Sequence, residues 1–247
     1  MTAPRPLAGK RVVVTRPRAQ AAALAEKLAG QGAVPIIFPM IEITPMDDCR
    51  PLDAALRQLD QYDWIIFTSV NGVTAVWDRL DAAWPAALRI AAVGPATARA
   101  LAARGANAAF MPDEYVAEAL AAGLGDVAGQ RVLLPHAELA REALADVLRG
   151  RGATVDELPV YRTLPAAPDP QGLAEQQRGV DAITLTSASA ARNFARLAPA
   201  APAVVACIGP VTAAAAREAG LPVRVVAAEY TLDGLVAALG DYFAHRP

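Results

Sequence analysis

The residue types most able to do chemistry in this chain stand at turns where an apolar run gives way to a helical pattern. Thr68-Ser69, Thr186-Ser187, Gly94-Pro95 and Gly209-Pro210 each follow such a run, and Thr15-Arg16-Pro17 ends the first run in the same way. Serine is a favoured helix N-cap, and proline suits the first helical position. Helix starts present unpaired N–H groups and the positive end of the dipole, which bind anions. These turns predict either an anion-binding edge or ordinary helix capping.

Tyr161 lies in a different setting, inside the proline-bearing segment 159–170. Its phenol can donate or accept a hydrogen bond and can act as a general acid. Segments 35–45 and 159–170 both break the rhythm of the chain, so we interpret them as linkers between two lobes. Tyr161 then either faces a cleft between the lobes or packs at a hinge, and both alternatives stay open.

Other motifs for catalysis are absent from the sequence. There is no Walker loop, and His136 and His245 have no partners at metal-ligand spacing, so no metal site is expected. Cys49 and Cys207 are isolated thiols, which fits a reducing cytoplasm rather than a disulfide framework. No run of 18 apolar residues occurs, so we expect no membrane span.

Composition limits the partners that the chain can bind. Its 247 residues carry 23 Lys and Arg against 25 Asp and Glu, for a formal net charge of −2. Hydrophobic residues make up 54%, which excludes a disordered chain. The lack of a basic excess disfavours non-specific binding to a polyanion such as DNA.

Apolar runs alternate with helical patterns along the whole chain, which predicts βα units and parallel sheets. These runs are too many for one compact open sheet, so two sheets are expected. The predicted strands are 11–15, 34–38, 64–67, 89–93, 108–111, 131–134, 154–160, 182–185, 203–208 and 223–226.

The chain also resembles itself. Gly9 and Gly32 recur as Gly129 and Gly152, 120 positions apart. The turns at 68–69 and 94–97 recur at 186–187 and 209–212, and Gly105, Glu114, Tyr115 and Leu120 match Gly220, Glu229, Tyr230 and Leu235. The order of these matches indicates a duplicated unit of successive βα elements. A two-copy chain of this kind is expected to form two similar lobes, with ligands bound between them.

The succession of motifs resembles the uroporphyrinogen-III synthase family. The motifs that carry the resemblance are Val14-Thr15-Arg16-Pro17, Phe67-Thr68-Ser69-Val70-Asn71-Gly72, Val93-Gly94-Pro95-Ala96-Thr97, Pro159-Val160-Tyr161-Arg162, Leu185-Thr186-Ser187-Ala188-Ser189, Ile208-Gly209-Pro210-Val211-Thr212 and Tyr230-Thr231 with Gly234-Leu235. Each motif is weak alone, but their order and spacing from about Gly9 to Leu239 are specific.

The resemblance implies a pseudo-duplicated α/β fold of two flavodoxin-like parallel-sheet lobes joined by a two-stranded linker. It also implies an exchange, in which the first strand and helix pack with the C-terminal third. We expect lobe one to comprise residues 1–37 and 165–247, lobe two residues 42–158, and the linker residues 38–41 and 159–164.

The activity implied by the resemblance is conversion of hydroxymethylbilane to uroporphyrinogen III in tetrapyrrole biosynthesis, as a hydro-lyase. Water is lost, a spiro intermediate forms, the last pyrrole ring inverts and the macrocycle closes. Uncatalysed closure gives the uninverted type I isomer, so catalysis is largely control of positioning. No cofactor or metal is implied. The expected partner is the small-molecule substrate, with at most a transient contact to the preceding deaminase; we expect a cytoplasmic monomer that binds no nucleic acid and no membrane.

The resemblance also assigns site residues. Tyr161 matches the linker tyrosine that assists departure of the hydroxyl group. The positions that match carboxylate-binding turns are Thr68, Ser69, Val70, Gly94, Ala96, Thr97, Ser187, Ala188, Ser189, Gly209 and Thr212, with Arg16 and Thr231 as looser matches.

The chain departs from the family pattern after Leu134-Pro135, where many relatives carry Arg-Gly. The carboxylate contact expected there is lost, or is supplied by His136 or Arg141. The alternative to an enzyme is a non-catalytic, two-lobe module that binds tetrapyrroles or other anions and serves a regulatory role on the same fold.

Overall fold

The computed structural model describes residues 5–113, 117–139, 143–167, 169–197 and 203–245. The strands are β1 (Arg11–Val14), β2 (Val34–Ile37), β3 (Ile41–Pro45), β4 (Trp64–Phe67), β5 (Arg89–Ala92), β6 (Arg131–Ala137), β7 (Thr154–Pro165), β8 (Ala182–Leu185), β9 (Val204–Cys207) and β10 (Val223–Val226). The helices are α1 (Arg18–Gly30), α2 (Arg50–Leu56), α3 (Val70–Trp77), α4 (Pro95–Ala102), α5 (Ala117–Gly123), α6 (Ala143–Gly150), α7 (Pro170–Gln177), α8 (Ala188–Leu197), α9 (Pro210–Glu218) and α10 (Leu232–Ala244).

The described strands form two five-stranded sheets. The first sheet has the order β10-β9-β8-β1-β2, and all its neighbouring strands run parallel. Numbered along the chain, this order is 2-1-3-4-5, which is the flavodoxin-like order. The second sheet has the order β3-β7-β6-β4-β5, with parallel pairing of β4 with β5, β4 with β6, and β6 with β7. If its strands are numbered β4, β5, β6, β7 and then β3, the order is again 2-1-3-4-5. The α/β class with two parallel sheets is confirmed.

The chain divides into two compact units, each with one sheet. The first unit is formed by the described residues of Met1–Glu42 and Leu164–Pro247, and the second by those of Ile43–Thr163. The chain passes from one unit to the other within β3 and again within β7. The first sheet takes two strands from the first sequence copy and three from the second, so the expected exchange of strands is present.

Helices cover both faces of the first sheet. Val12 and Val14 lie in one buried cluster with Leu24 of α1 and Leu235 of α10, whereas Val13 lies in another with Phe194 of α8. Because successive side chains of a strand point to opposite faces, a strand covered on both faces must be apolar at every position. This explains why the strands read as unbroken apolar runs, and it leaves the strand ends as the places for polar groups.

Two aspartates accept hydrogen bonds from the exchanged strands at the amino ends of these strands. Asp181 accepts a hydrogen bond from Arg11 N (2.8 Å) in the first sheet, and Asp63 accepts one from Arg131 N (2.8 Å) in the second. The backbone bonds Asp181 N to Arg11 O and Asp63 N to Arg131 O complete each pair at 2.9 Å. These four residues occupy matching places in the two sequence copies. Each aspartate therefore joins a strand of one copy to a strand of the other.

The turns after α1 and α6 show the same duplication in the backbone. Gly32 and Gly152 both have φ of 88°, a left-handed conformation that glycine adopts without the penalty of a Cβ. After each glycine the chain returns to the helix, with Ala33 N bonded to Leu28 O and Ala153 N bonded to Leu148 O at 3.1 Å. The glycines are therefore required by the turn that ends the helix.

One predicted strand was wrong, and one strand of the structure was not predicted. Residues 108–111 form no strand; Phe110 makes only an isolated bridge to Ala91, because Pro112 follows at once and cannot donate a ladder hydrogen bond. Residues 41–45, within the segment 35–45, form β3, which was not among the predicted strands. The strand predicted at 131–134 continues to Ala137, because the parallel pairing with β7 runs on through Pro135 and His136. None of the helices in the described ranges has the length and apolar content needed to cross a membrane.

Candidate functional site

The most elaborate polar contact among the predicted residues lies at the carboxyl end of β4. Ser69 is the N-cap of α3, with extended φ and ψ of −156° and 155°, and its Oγ accepts a hydrogen bond from Gly72 N. The same Oγ is 3.0 Å from the phenol oxygen of Tyr161, and either hydroxyl can donate. The structure therefore brings together two predicted residues that are far apart in the sequence.

Tyr161 reaches this position from β7. It pairs with Ala137 of β6, and its carbonyl accepts a hydrogen bond from Glu138 N (2.9 Å). The side chain is 8% exposed and lies in the same buried cluster as Phe67 and Val73. Packing thus holds the ring, while the hydroxyl is placed at the start of α3. The positive end of that helix dipole makes the Ser69–Tyr161 pair a suitable donor to an anionic or leaving oxygen.

Arg162, next to Tyr161, is a residue whose contacts the motifs did not point to. Its guanidinium binds Asp47 (2.8 Å) and Glu138 (3.2 Å). The hydrogen bond to Asp47 raises the pKa of Arg162 above its ordinary value. These surface ion pairs link the residue after Tyr161 to Asp47, which follows β3, and to Glu138, which follows β6.

Strand β5 of the second sheet leads into α4, whose start has no side-chain cap. Gly94 is the N-cap of α4, and Pro95 is its first helical residue. The first bond of the helix runs from Ala98 N to Gly94 O (3.0 Å), so the N–H groups of Ala96 and Thr97 precede the helix's own hydrogen bonding. Thr97 is 5% exposed. The predicted residues Thr68 and Val70 occupy the neighbouring turn, half-buried and exposed, respectively.

The first sheet has an equivalent edge. Ser187 precedes α8, where its Oγ accepts from Ala190 N (3.2 Å) and lies 3.2 Å from the Oγ of Ser189. Ala188 is the first residue of that helix. Gly209 starts α9 as Gly94 starts α4, with Pro210 following, and Thr212 is 5% exposed.

Thr231 closes this edge at the outer strand. Its Oγ1 accepts from Gly234 N (3.0 Å) and caps α10. The predicted residues of each unit thus lie at the carboxyl ends of that unit's own strands. The pairs β1–β8 and β4–β6 are the points where successive connections leave in opposite directions, which is where open α/β sheets bind ligands.

Arg16 is the one cation among the predicted residues. Its guanidinium binds the backbone carbonyl (3.1 Å) and side-chain oxygen (2.9 Å) of Gln20. Burial lowers the pKa of Arg16 from its ordinary value. The ion pairs formed within the described ranges do not include Arg16, so no carboxylate of those ranges neutralises its charge beside the edge of the first sheet.

The structure places one of the two residues considered for the altered turn. The Nδ1 of His136 is 2.6 Å from Ala137 O. A carbonyl can only accept, so Nδ1 carries the proton in this contact and Nε2 is the atom left for a ligand. Neutral His136 would therefore accept a hydrogen bond there rather than donate one to a carboxylate. Arg141 lies outside the described residues.

Comparison with known proteins points in one direction. A family model described as uroporphyrinogen-III synthase HemD matches residues 22–237. The uroporphyrinogen-III synthase of Synechococcus elongatus is 38% identical, over 97% of this chain and 98% of that protein. A porphyrin biosynthesis protein HemD of Ruminiclostridium josui is 32% identical over 95% of this chain, which covers 49% of that protein.

Solved structures are similar over nearly the whole chain. A mutant uroporphyrinogen III synthase of the extremely thermophilic bacterium Thermus thermophilus has a TM-score of 0.62 and 25% identity, covering 97% of this chain and 100% of that one. A uroporphyrinogen-III synthetase of Helicobacter pylori also has a TM-score of 0.62, at 17% identity over 95% of this chain and 99% of that one, and shows the fold alone.

Proposed function

This chain belongs to the uroporphyrinogen-III synthase family, and we propose that it converts hydroxymethylbilane to uroporphyrinogen III. The reaction breaks the bond between the terminal methylene carbon and its hydroxyl group, releases water, inverts the last pyrrole ring and closes the macrocycle. Because the linear substrate closes spontaneously to the type I isomer, the protein must control the geometry of the last ring. The observation that carries this proposal is the Ser69–Tyr161 hydroxyl pair at the N-terminus of α3.

Tyr161 is the proposed catalytic residue. Its phenol donates a hydrogen bond, and then a proton, to the departing hydroxyl group, so that water rather than hydroxide leaves. Ser69 supports this role because its Oγ holds the phenol at 3.0 Å while it accepts from Gly72 N. The ring lies in the buried cluster that also includes Phe67 and Val73, which limits its rotation.

The proposed ligands of the acetate and propionate carboxylates are the helix starts. In the second unit they are Thr68, Ser69, Val70, Gly94, Ala96 and Thr97, and in the first unit Ser187, Ala188, Ser189, Gly209, Thr212 and Thr231. Most of them bind through main-chain N–H groups, which precede the hydrogen bonding of the helix and lie at the positive end of its dipole. Arg16 adds one full charge, which is supported by the absence of Arg16 from the ion pairs of the described chain.

Further parts of the proposal follow from family membership. The chain acts as a hydro-lyase, as a monomer and without a metal or organic cofactor; it meets the preceding deaminase transiently at most. Residues 38–41 and 159–164 serve as the linkers between its lobes. The cytoplasm is the proposed location, because two isolated thiols, Cys49 and Cys207, suit a reducing compartment.

The test is to supply hydroxymethylbilane to the purified chain and to separate the product isomers. The matched control is the same protein after heat denaturation. We expect type III to dominate with the native protein and type I with the control. If type I dominates equally in both, the proposal fails; tight binding of uroporphyrinogen III without turnover would instead favour a regulatory module.

A further inference from the structure

Tyr230 stands at the carboxyl edge of the first sheet, between β10 and α10. It is 55% exposed, a large fraction for an aromatic side chain in an ordered turn. The turn is tightly built: Thr231 N bonds to Glu229 O (2.8 Å), and Thr231 in turn caps α10. The exposure of Tyr230 therefore arises from a fixed backbone.

The ring of Tyr230 extends from this turn to the neighbouring one. A Cβ placed on Gly209 would lie 3.1 Å from the Cδ1 of Tyr230 and 3.3 Å from its Cγ, so the ring rests on the residue that starts α9. This reach is possible because β9 and β10 are adjacent, with Ala227 N bonded to Cys207 O (3.0 Å). A Cβ at position 209 would require the ring to shift by a few tenths of an ångström, so glycine there allows this close approach besides serving as N-cap.

The start of α9 presents both an apolar side chain and hydrogen-bond donors. Val211, two residues after Gly209, is 73% exposed. Thr212 is 5% exposed, and its hydroxyl makes no hydrogen bond within the described chain. The first bond of α9 runs from Ala213 N to Gly209 O (3.0 Å), so the N–H groups of Val211 and Thr212 are available. Apolar surface thus adjoins donors for an anion.

We infer that Tyr230 is a substrate-binding residue whose ring packs against one pyrrole ring of the tetrapyrrole while the start of α9 binds that ring's carboxylate. The inference rests on the proposed function and deepens it. A pyrrole with acetate and propionate arms is a flat apolar ring with anionic ends, and it matches an exposed aromatic ring beside unpaired N–H groups. The first turn of α9 carries no acidic residue that would oppose an anion.

The test compares Tyr230→Ala and Tyr230→Phe with the wild type. Loss of the ring is expected to raise the KM for hydroxymethylbilane about three- to tenfold, the size of one aromatic contact, with kcat little changed. Tyr230→Phe keeps the ring and is expected to stay within about twofold of the wild type. The matched control is Val34→Ala, which trims another exposed apolar side chain at the opposite end of the same sheet and leaves KM unchanged.

A second measurement separates this inference from the proposed function. Equilibrium binding of uroporphyrinogen III is measured by calorimetry for the same four proteins, whose folding is checked by circular dichroism. If type III forms but Tyr230→Ala has the wild-type KM, the role of Tyr230 is refuted and the proposed function stands. If no type III forms, the binding data decide: weaker binding by Tyr230→Ala alone supports the inference, and equal binding, or none by any protein, overturns it.

Discussion

Tyr161 and Ser69 couple two distant parts of the second unit through one hydroxyl contact of 3.0 Å. Ser69 has two roles, since its Oγ also caps α3 through Gly72 N. Ser187 caps α8 in the same way, but its second contact is Ser189 rather than a tyrosine. The two sequence copies thus share their helix caps and differ in the group that can donate a proton.

Replacing Tyr161 with phenylalanine should lower kcat about tenfold or more while the protein stays folded, because the ring keeps its packing and only the proton donor is lost. Steady-state rates and urea unfolding would measure both effects. Tyr62→Phe is the matched control: it removes another hydrogen-bonded phenol of the same unit, held by Asp156 (2.7 Å), just before the amino end of β4. An unchanged kcat for Tyr161→Phe would remove Tyr161 from the mechanism.

Ser69→Ala and Ser187→Ala should each cost about 1 kcal/mol of unfolding free energy, since each removes one N-cap. Only Ser69→Ala should interact with Tyr161→Phe. In a double-mutant cycle on kcat, the pair Ser69→Ala and Tyr161→Phe should be non-additive, whereas Ser187→Ala and Tyr161→Phe should add. Additivity in both cycles would mean that Ser69 does not position the phenol.

At the scale of elements, the strand exchange is held by contacts far from the proposed chemistry. Asp63 and Asp181 join the first strand of one copy to a strand of the other, at the amino ends of the sheets. The helix starts occupy the opposite ends. Stability and the proposed ligand binding are therefore expected to depend on different ends of the same strands.

Asp63→Ala and Asp181→Ala should each lower the unfolding free energy by about 1–3 kcal/mol, because a backbone N–H at the start of an interior strand loses its acceptor. The kcat/KM of the folded protein should stay close to that of the wild type. Chemical denaturation and steady-state kinetics test the two statements. Asp48→Ala, which removes an exposed carboxylate paired with Arg50, should be nearly neutral; an equal loss in all three variants would contradict this role of Asp63 and Asp181.

The sequence predicted most of the strands but not all of them. Alternating apolar runs placed most strands, because a strand buried on both faces must be apolar throughout. All five residues of β3 lie in the segment 35–45, where Pro39 and Pro45 broke the pattern, so no strand was predicted at 41–45. Residues 108–111 had the right pattern, but Pro112 ended the pairing. The Ser69–Tyr161 contact was not predictable, since it depends on the pairing of β6 with β7 and not on spacing along the chain.

At the scale of the whole molecule, a chain of net charge −2 is proposed to bind a polycarboxylate. The charge count does not record backbone N–H groups, and many of the arginines are already paired with carboxylates of the chain. Arg16, the one arginine among the predicted site residues, takes part in none of the ion pairs of the described residues. Neutral dipoles are therefore expected to supply most of the binding.

The KM for hydroxymethylbilane should accordingly change little with ionic strength. Measuring KM from about 0.05 to 0.5 M KCl tests this, because free charges are screened over that range and hydrogen bonds from backbone dipoles much less. Arg16→Gln should flatten whatever slope the wild type has. A steep slope that survives in Arg16→Gln would instead assign binding to other arginines.

The unfolding free energy should fall in alkaline solution because one buried acidic group in each unit, a thiol or a phenol, has a raised pKa. Burial raises the pKa of the Cys207 thiol to about 11, and burial together with the hydrogen bond to Asp156 raises the pKa of Tyr62 to about 12. The unfolded chain releases these protons at the lower, ordinary pKa values, so the unfolding free energy decreases as pH rises from about 9 to about 12. Urea unfolding at pH 8 and pH 10.5 measures the decrease, and Cys207→Ala combined with Tyr62→Phe should reduce it. An equal decrease in the double variant would exclude these two groups as its cause.

The isomer composition formed from hydroxymethylbilane at increasing concentrations of native protein tests the proposed function most directly. Spontaneous closure to type I competes at a fixed rate, so the type III fraction should climb from near zero to nearly the whole product as protein is added. Tyr161→Phe should need a higher protein concentration to reach the same fraction. A type I fraction that stays constant at every protein concentration would contradict the assignment of this chain as a synthase.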